Sequence, residues 1–409
     1  MIKRILEYIC FDEKLGRQMR FIAGPRQTGK TTLAKLFLHK QGSQNLYYNW
    51  DVREVRMRHK QNSLFYMKDV YKMAQKKAHI PWICFDEIHK MPKWKNILKA
   101  SFDSAEEKIN FIVTGSARLE MFNKAGDSLA GRYFLFKLFP LTLFELTHNN
   151  NFGSIFPPGY AKDFIEAQLN RTIYHQDTME NLLNYSGFPE PFLKSRKAFN
   201  YKWHNIYIDR LIREDLRDLT HIRELENIAT LITFLPERIG SPLSFNSLKE
   251  DIEVSHSAIR TYLKALELSC ILFFIHPYNK KISRAIKKEK KCYLYDWSII
   301  KDEALRFENY IAVELKVLTE LWNDIGENKF ELYYVRTREG KETDFLIVKD
   351  REPWLLLEAK LSDVKIDNHH YTHAEALGNI PIIQLIAKKD VATKERSSSY
   401  RISASRFFG

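Results

Sequence analysis

The hydrophobic pattern of the first 140 residues predicts short buried strands that alternate with amphipathic helices. Mainly apolar runs at 19–23, 81–85, 109–113 and 133–137 have the length of single strands, and the apolar residues of 32–38 recur at helical spacing. Strands that alternate with helices are typical of an α/β domain with a parallel sheet.

The rest of the chain shows three further patterns. Residues 161–235 carry apolar side chains at helical spacing, which predicts a helical bundle or lid. Residues 241–278 contain two short helical patterns separated by a turn and then a strand pair, an order typical of a winged helix. From residue 306 the pattern predicts a helix, three strands, a helix and a strand, which make a small α/β domain.

These patterns, together with a stretch rich in Asn, Gly and Pro at 149–158, divide the chain into four predicted parts. They are an α/β domain at 1–150, a helical lid or linker at 151–240, a winged-helix-like domain at 241–300 and a second α/β domain at 301–409.

The composition is that of a folded globular protein. Of the 409 residues, 44% are hydrophobic and 28% are charged, which excludes a disordered or collagen-like chain. The 64 basic residues against 51 acidic ones give a net charge of +13. This surplus favours polyanionic partners, nucleic acid among them.

Several features predict a cytoplasmic protein with no membrane partner. The four cysteines lie far apart and form no C-x-x-C pair, so we expect reduced thiols. Charges interrupt the N-terminus too early for a signal peptide. The most apolar stretch, 270–275, is far shorter than the roughly 20 residues of a membrane span.

The first predicted strand runs into GPRQTGKT at 24–31, which matches the pattern G-x-x-x-x-G-K-[ST]. Such glycines let backbone N–H groups point at phosphate oxygens, and the following helix presents its positive dipole end. Lys30 is predicted to neutralise the β- and γ-phosphates, and Thr31 to place its hydroxyl on Mg²⁺. The predicted nucleotide-binding residues are Gly24, Pro25, Arg26, Gln27, Thr28, Gly29, Lys30, Thr31 and Thr32.

A second predicted strand ends in two acids, Asp86 and Glu87, at the strand end where ligands of open α/β sheets bind. Asp86 is predicted to hold Mg²⁺ through water, and Glu87 to polarise the attacking water as general base. The third strand ends in Thr114-Gly-Ser116. Either Thr114 or Ser116 orients that water, or the segment is a turn that closes the strand.

Arg132 precedes the strand at 133–137 and is the candidate arginine finger. It would reach a nucleotide in its own or a neighbouring subunit, and the second case requires a homo-oligomer. A surface ion pair is the alternative of equal weight. The chain contains no N-K-x-D sequence, so nothing specifies guanine and ATP is the expected nucleotide.

These segments resemble those of bacterial and archaeal ATPases of the AAA type that join an N-terminal P-loop domain to a C-terminal domain of unknown function. The resemblance extends over nearly the whole chain and implies ATP binding and hydrolysis with Mg²⁺, but no cellular task. It rests on the phosphate loop at 24–32, DEIHK at 86–90 with Pro92 and Trp94, TGS at 114–116, LAGR at 129–132 and GFPEP at 187–191.

The predicted winged helix and the basic run behind it are candidate DNA contacts. The second helix of such a module enters the major groove, which would turn His256, Arg260 and Lys264 toward DNA. In the run at 280–291, seven of twelve residues are basic and would clamp phosphates. The alternatives are a winged helix that only packs domains and a charge run that is a solvated loop.

The order of elements in the C-terminal part resembles the restriction-endonuclease-like fold of the PD-(D/E)XK group, with Asp344 as the acid and Glu358-Ala-Lys360 as the E-x-K element. Asp344 and Glu358 would share a divalent metal at a scissile phosphate, and Lys360 would activate water. Glu308 would add a contact to this site, and Gln384 would position the nucleophile. The alternative is an ordinary ion pair at a strand end, and many domains of this group have lost cleavage.

Three functions remain open on the sequence. The leading hypothesis is a Mg²⁺-dependent ATPase that acts on or near DNA and in which ATP controls a nuclease-like domain. The second is a nucleotide-switched regulatory module whose C-terminal domain holds DNA or protein without cutting. The third, a phosphotransferase, is disfavoured because Glu87 and Ser116 look arranged for water.

Overall fold

The computed structural model describes residues 2–74, 80–105, 108–115, 129–148, 159–216, 224–279, 289–396 and 398–409. The backbone divides into two compact units, Met1–Phe139 and Pro140–Gly409. The first unit therefore ends about ten residues before the boundary predicted at 150. The other two predicted boundaries fall inside the second unit.

The first unit is an α/β fold with a five-stranded sheet of order β2-β3-β4-β1-β5, and its strand pairs are parallel. This confirms the predicted parallel sheet. Its strands are β1 (Met19–Ala23), β2 (Tyr47–Asn49), β3 (Trp82–Asp86), β4 (Asn110–Thr114) and β5 (Tyr133–Lys137). Its helices are α1 (Leu6–Cys10), α2 (Lys30–Lys40), α3 (Arg53–Gln61), α4 (Tyr66–Ala74) and α5 (Trp94–Ser104).

The central strands of this sheet are buried on both faces, which explains their continuous apolar runs. All five residues of β1 and all five of β3 are buried. Alternate residues enter two separate cores, with Phe85 on one face and Cys84 on the other. Because the strands are parallel, the carboxyl ends of β1, β3 and β4 meet at one edge of the sheet.

The second unit combines helices with a mixed eight-stranded sheet of order β12-β13-β11-β10-β9-β8-β6-β7. Its helices are α6 (Leu143–Thr147), α7 (Ala161–Leu169), α8 (Gln176–Tyr185), α9 (Pro189–Lys194), α10 (Lys197–Arg210), α11 (Leu225–Phe234), α12 (Phe245–Ile252), α13 (His256–Leu268), α14 (Glu303–Ile325), α15 (Asn368–Ala376) and α16 (Ala404–Phe407). Its strands are β6 (Leu272–Pro277), β7 (Lys291–Leu294), β8 (Phe330–Arg336), β9 (Glu342–Lys349), β10 (Glu352–Lys360), β11 (Ile382–Ile386), β12 (Ala392–Arg396) and β13 (Ser399–Ser403).

One strand pair joins the winged-helix-like part to the C-terminal part. Helices α12 and α13 are followed by the antiparallel pair β6 and β7, and β6 also pairs in parallel with β8 through His276 and Tyr333. The parts predicted at 241–300 and 301–409 therefore share one sheet. Within the part predicted at 301–409, the elements follow one another in the order that the pattern predicts, namely α14, β8 to β10, α15 and β11.

Helix α14 is the long element that fixes β7 against the sheet. Asp302 caps its start by accepting from Leu305 N–H at 2.9 Å, and Gly326 ends it with a φ of 86°. Its Asn309 side chain donates to Leu294 O at 2.7 Å and accepts from Leu294 N–H at 2.8 Å. This two-way contact holds the end of β7 in one register beside α14.

The structure bears on two of the features from which a cytoplasmic location was predicted, namely the membrane-spanning segments and the cysteines. Within the described ranges, no helix combines the length and the hydrophobicity that a membrane crossing needs. Cys10, Cys84, Cys270 and Cys292 are all buried, and none of the four forms a disulfide.

Candidate functional site

The phosphate loop lies between the end of β1 and the start of α2, as predicted. Gly24 has a φ of +126°, and a Cβ there would lie 2.4 Å from the Leu138 carbonyl oxygen, so only glycine fits. Gly29 has a φ of +97° and is the residue that precedes the first turn of α2. Gln27 also has a positive φ, of 60°. The backbone thus turns sharply enough to direct its N–H groups into the loop.

The Lys30 side chain is folded into this loop. It is 8% exposed, and its Nζ donates to the carbonyl oxygens of Gly24 at 2.9 Å and Pro25 at 2.6 Å. Thr28 braces the same carbonyl of Pro25 through its hydroxyl at 2.9 Å. An ammonium held by the loop carbonyls lies where a phosphate bound by the loop N–H groups would meet it. Thr32 is exposed on the first turn of α2, and Arg26 is half-buried.

Asp86 joins the second strand end to the loop. Its carboxylate is 3% exposed, and Thr31 Oγ1 donates to its Oδ2 at 3.0 Å. Thr114 donates to Oδ1, and the Tyr47 hydroxyl donates to Oδ2. A carboxylate next to a threonine hydroxyl at the start of a helix is the oxygen donor set that Mg²⁺ accepts, so these residues fit the predicted ion.

Glu87 occupies a strained turn directly behind Asp86. Its φ is 59°, and its N–H donates to Thr114 O at 2.9 Å, which ties the ends of β3 and β4 together. Its carboxylate lies 3.5 Å from both His89 Nε2 and Lys90 Nζ. Burial raises the pKa of Glu87 above its ordinary value, and Lys90 opposes this shift. A carboxylate with a raised pKa beside a phosphate loop is suited to take a proton from water.

The structure does not bring Arg132 to this loop within the chain. Met19 N–H donates to Arg132 O at 2.9 Å, so Arg132 lies at the amino end of β1, whereas the phosphate loop follows its carboxyl end. Its guanidinium forms a bidentate pair with Asp103, with Nε to Oδ1 at 2.8 Å and one terminal nitrogen to Oδ2 at 3.2 Å. This pair lowers the pKa of Asp103. A role across subunits stays a prediction, and Ser116 lies outside the described residues.

Two residues that contact the candidate site of the first unit are not predicted by the sequence patterns. Arg4 is 8% exposed and donates to Thr28 O and Phe139 O, each at 2.6 Å, so it holds the loop from behind. Tyr47 donates to Asp86, and its pKa is raised by burial and then by that bond. Both contacts join residues far apart in sequence, and no motif spacing records them.

In the second unit, β9 and β10 bring together the residues predicted for the E-x-K element. Asp344 N–H donates to Glu358 Oε2 at 3.1 Å, and Ala359 N–H donates to Asp344 Oδ2 at 3.1 Å. Lys360 Nζ donates to Glu358 Oε1 at 2.7 Å. Gln384 pairs with Glu358 in the parallel register of β10 and β11. Its amide donates to Val364 O at 2.6 Å.

Lys291 lies beside these residues. The sequence analysis counted it in a basic run that either clamps phosphates or forms a solvated loop, and its complete burial contradicts both. Its side chain is fully buried, and its Nζ lies 3.2 Å from Glu308 Oε1, 3.2 Å from Asp344 Oδ1 and 2.6 Å from Glu342 Oε1. The Tyr293 hydroxyl donates to Glu308 at 2.7 Å. Lys291 is both the last residue of the basic run at 280–291 and the first residue of β7, so the charge pattern hid its place in a strand.

Burial raises the pKa of two members of the carboxylate cluster, by which we mean Glu308, Glu342, Asp344 and Glu358. The pKa of Glu308 and that of Glu358 are both raised by burial first and by the charge of Asp344 second. Lys291 lowers the pKa of Glu308, and Lys360 lowers that of Glu358. The two lysines therefore oppose the rise in pKa that burial causes at these two glutamates.

The winged-helix-like part presents a basic groove. Ser244 caps α12 and Ser255 caps α13 through their side-chain oxygens. His256, Arg260 and Lys264 are exposed along α13 and line a groove of ≈ 660 Å³ that Lys290 also lines. Lys264 pairs with Glu267 at 2.7 Å. Of the basic run, residues 280–288 lie outside the described part of the chain.

Residues 16–147 match the family model described as an AAA domain. The match spans the sheet and the phosphate loop, and it supports a P-loop ATPase fold for the first unit. Residues 176–309 match a second model, a domain of unknown function (DUF8612). Residues 310–409 lie outside both matches, so the restriction-endonuclease-like fold stays a prediction.

Similar proteins extend over most of the chain. An uncharacterized protein of Haemophilus influenzae is 22% identical over 381 residues, which is 84% of this chain and 89% of the relative. An uncharacterized protein of Mycobacterium tuberculosis is 22% identical over 343 residues, which is 81% of this chain and 68% of the relative. Among solved structures, ORC1 of Aeropyrum pernix in complex with DNA is 16% identical and aligns with 76% of this chain and 91% of its own, at a TM-score of 0.29. A similarity this low transfers no function.

Proposed function

We propose that the chain is a Mg²⁺-dependent ATPase whose second unit holds DNA. The observation that carries the first half is the contact of Thr31 with Asp86 at 3.0 Å, beside a loop that contains Lys30. It unites the hydroxyl, the carboxylate and the ammonium that phosphoryl transfer to water requires.

Each residue has a definite task in that reaction. The loop N–H groups and Lys30 bind and orient the phosphates, and Thr31 with Asp86 would hold the magnesium ion. Bound magnesium supplies positive charge to the phosphate oxygens. Glu87, with its raised pKa, accepts the proton of the attacking water. Thr114 fixes Asp86 and, through its carbonyl, the backbone of Glu87.

DNA is the partner that the surface of the second unit favours. Arg260 and Lys264 are exposed one turn apart on α13, which is the helix that enters the major groove in winged-helix modules. The net charge of +13 adds long-range attraction to phosphates. We therefore propose that α13 and the groove beside it contact DNA.

Whether ATP controls a nuclease in the second unit stays a prediction, and the alternative is a module that holds DNA without cutting. Asp344, Glu358 and Lys360 lie together as the nuclease hypothesis requires. Lys291, buried against Asp344, favours the alternative.

The first experiment measures ATP hydrolysis with Mg²⁺ for the wild type and Lys30→Ala, with no DNA and with double-stranded, single-stranded or branched DNA. We expect hydrolysis that one DNA form stimulates and that Lys30→Ala abolishes. Hydrolysis that persists in Lys30→Ala would contradict the assignment of the loop. Hydrolysis that no DNA form changes would contradict the DNA half and leave the ATPase half intact.

The second experiment measures DNA affinity against salt for the wild type, Arg260→Ala and Lys162→Ala. A phosphate contact by Arg260 predicts weaker binding to all sequences and a salt slope smaller by about 1. Lys162 is exposed on α7 and is the matched control, so its variant should bind as the wild type does. Equal binding by all three would remove α13 from the interface.

A further inference from the structure

The carboxylate cluster of the second unit is charge-balanced by the chain itself. Glu308, Glu342, Asp344 and Glu358 contribute four carboxylates. Among the described residues, three cations pair with them: Lys291, Lys360 and Arg336, the last to Glu342 at 2.8 Å. The formal charge that remains for a further cation is therefore small.

Lys291 is fixed in place by backbone pairing on both sides. It pairs with Ile275 of β6 and forms a bridge with Pro242. The neighbouring Lys290 O accepts from Leu243 N–H at 2.8 Å, which continues that contact. With its side chain fully buried, Lys291 is a core residue of the sheet rather than a surface lysine that has turned inward.

The ammonium of Lys291 contacts Asp344, one of the two carboxylates that the predicted metal would share. An ammonium has three N–H donors, and carboxylates of Glu308, Glu342 and Asp344 lie 3.2, 2.6 and 3.2 Å from Nζ. Mg²⁺ and Ca²⁺ would draw oxygens of the same kind to within about 2.0–2.6 Å. The ammonium and the ion therefore compete for Asp344.

Displacement of the ammonium would be unfavourable. A divalent ion beside Lys291, Lys360 and Arg336 would set five positive charges against four carboxylates, and an uncompensated buried charge is strongly destabilising. The backbone pairing of Lys291 offers no route by which the residue could follow its ammonium into solvent. The residues of the cluster thus do not fit the divalent metal that Asp344 and Glu358 were predicted to share.

We propose that the Lys291 ammonium is the resident cation of the carboxylate cluster, and that the cluster binds no divalent metal while Lys291 is present. The second unit then acts on DNA by binding and not by metal-dependent cleavage. This inference does not depend on ATP hydrolysis, because every residue in it belongs to the second unit.

The test measures binding of Mn²⁺ alone to the nucleotide-free full chain, by calorimetry and by electron paramagnetic resonance. Four proteins are compared: the wild type, Asp344→Asn, Lys291→Met, and the double variant of both. Asparagine keeps an oxygen that accepts from Ala359 N–H. Ligand atoms of Asp367, His369 and His370 lie within 4.8 Å of one another, so Mn²⁺ is assigned to the cluster only by difference against the Asp344→Asn proteins.

We expect the wild type and Asp344→Asn to bind Mn²⁺ equally. We expect Lys291→Met to bind one more Mn²⁺ than the double variant, with a dissociation constant below about 1 mM. Binding by the wild type that Asp344→Asn removes would overturn the proposal, as would equal binding by Lys291→Met and the double variant. If Lys291→Met does not fold, Lys291→Gln takes its place, and the comparison of the wild type with Asp344→Asn stands by itself.

Discussion

Two acidic sites of this protein differ in the groups that contact their carboxylates. Asp86 accepts hydrogen bonds from the hydroxyls of Thr31, Thr114 and Tyr47, all of them neutral groups. Asp344 instead lies 3.2 Å from the buried ammonium of Lys291. Hydroxyls leave the charge of a carboxylate available to a metal ion, whereas a buried ammonium cancels it.

This difference shows that a motif identifies acids but not their counter-charge. In the first unit, two of the three hydroxyls that donate to Asp86, those of Thr31 and Thr114, belong to the motif set that predicted it, and that of Tyr47 does not. In the second unit, the decisive neighbour of Asp344 lies 53 residues away in sequence, on a different strand. We therefore expect the removal of a charged group to reduce hydrolysis at the first site and to reduce stability at the second.

The largest effect is expected for Glu87→Gln. Glutamine has the same size but accepts no proton, so hydrolysis should fall by about 10²–10⁴-fold while ATP binding is retained. Phosphate release and the binding of a fluorescent ATP analogue would measure the two properties separately. Glu54→Gln, at an exposed glutamate of α3, is the matched control. Equal hydrolysis by both variants would show that another group activates the water.

The second prediction removes the counter-charge of the other site. Lys291→Met in metal-free buffer should lower the free energy of unfolding by about 3–5 kcal/mol near neutral pH, because it removes the ammonium that lies 3.2 Å from both Glu308 and Asp344. Urea denaturation would measure it. Lys290→Met is the control, since the Lys290 side chain is half-buried and lies over the Phe274 ring.

The cost of Lys291→Met should also grow with pH. The folded-state pKa values of Glu308 and Glu358 are raised, so the folded protein loses stability as the pH rises above the ordinary carboxyl range. Lys291 lowers the pKa of Glu308, so without it this pKa rises further and the loss becomes steeper. The variant should thus differ more from the wild type at pH 8 than at pH 5, and a difference independent of pH would argue against charge compensation.

The third prediction concerns Arg4, a buried cation of the first unit that donates to two backbone carbonyls. Arg4→Met leaves the carbonyls of Thr28 and Phe139 without their charged donor, which should cost about 1.5–3 kcal/mol and weaken ATP binding. Thermal unfolding with and without ATP would measure both. Arg17→Met is the control, since Arg17 contacts Phe102 O at 3.4 Å. Unchanged ATP affinity in Arg4→Met would mean that the loop keeps its shape unaided.

The sequence predicted those parts of the molecule that local spacing controls. The loop at 24–31, the acids after β3 and the order of elements from α14 to β11 all follow from patterns within a few dozen residues. The E-x-K residues and Asp344 came together because β9 and β10 are neighbours joined by a short turn.

Contacts set by strand order were beyond the same reasoning. Lys291 reads as one of seven basic residues in a twelve-residue run, and only the pairing of β7 with β6 turns it inward. In the sequence Arg4 is one charge near the N-terminus, yet in the structure it donates to Thr28 O of the phosphate loop. A buried charge is selected by its partners in space, and sequence spacing carries no record of them.

The smallest effect is expected for Arg132→Met, and it tests whether the first site is complete within one chain. Arg132 lies beside the amino end of β1, whereas the phosphate loop follows its carboxyl end. It pairs with Asp103 at the surface, so the free energy of unfolding should not change measurably. In dilute protein, where no neighbouring subunit is present, hydrolysis should equal that of the wild type. If hydrolysis by the wild type instead rises with protein concentration and that by Arg132→Met does not, Arg132 is supplied to a neighbouring subunit. The first site would then, like the second, depend on a cation that its own motif does not contain.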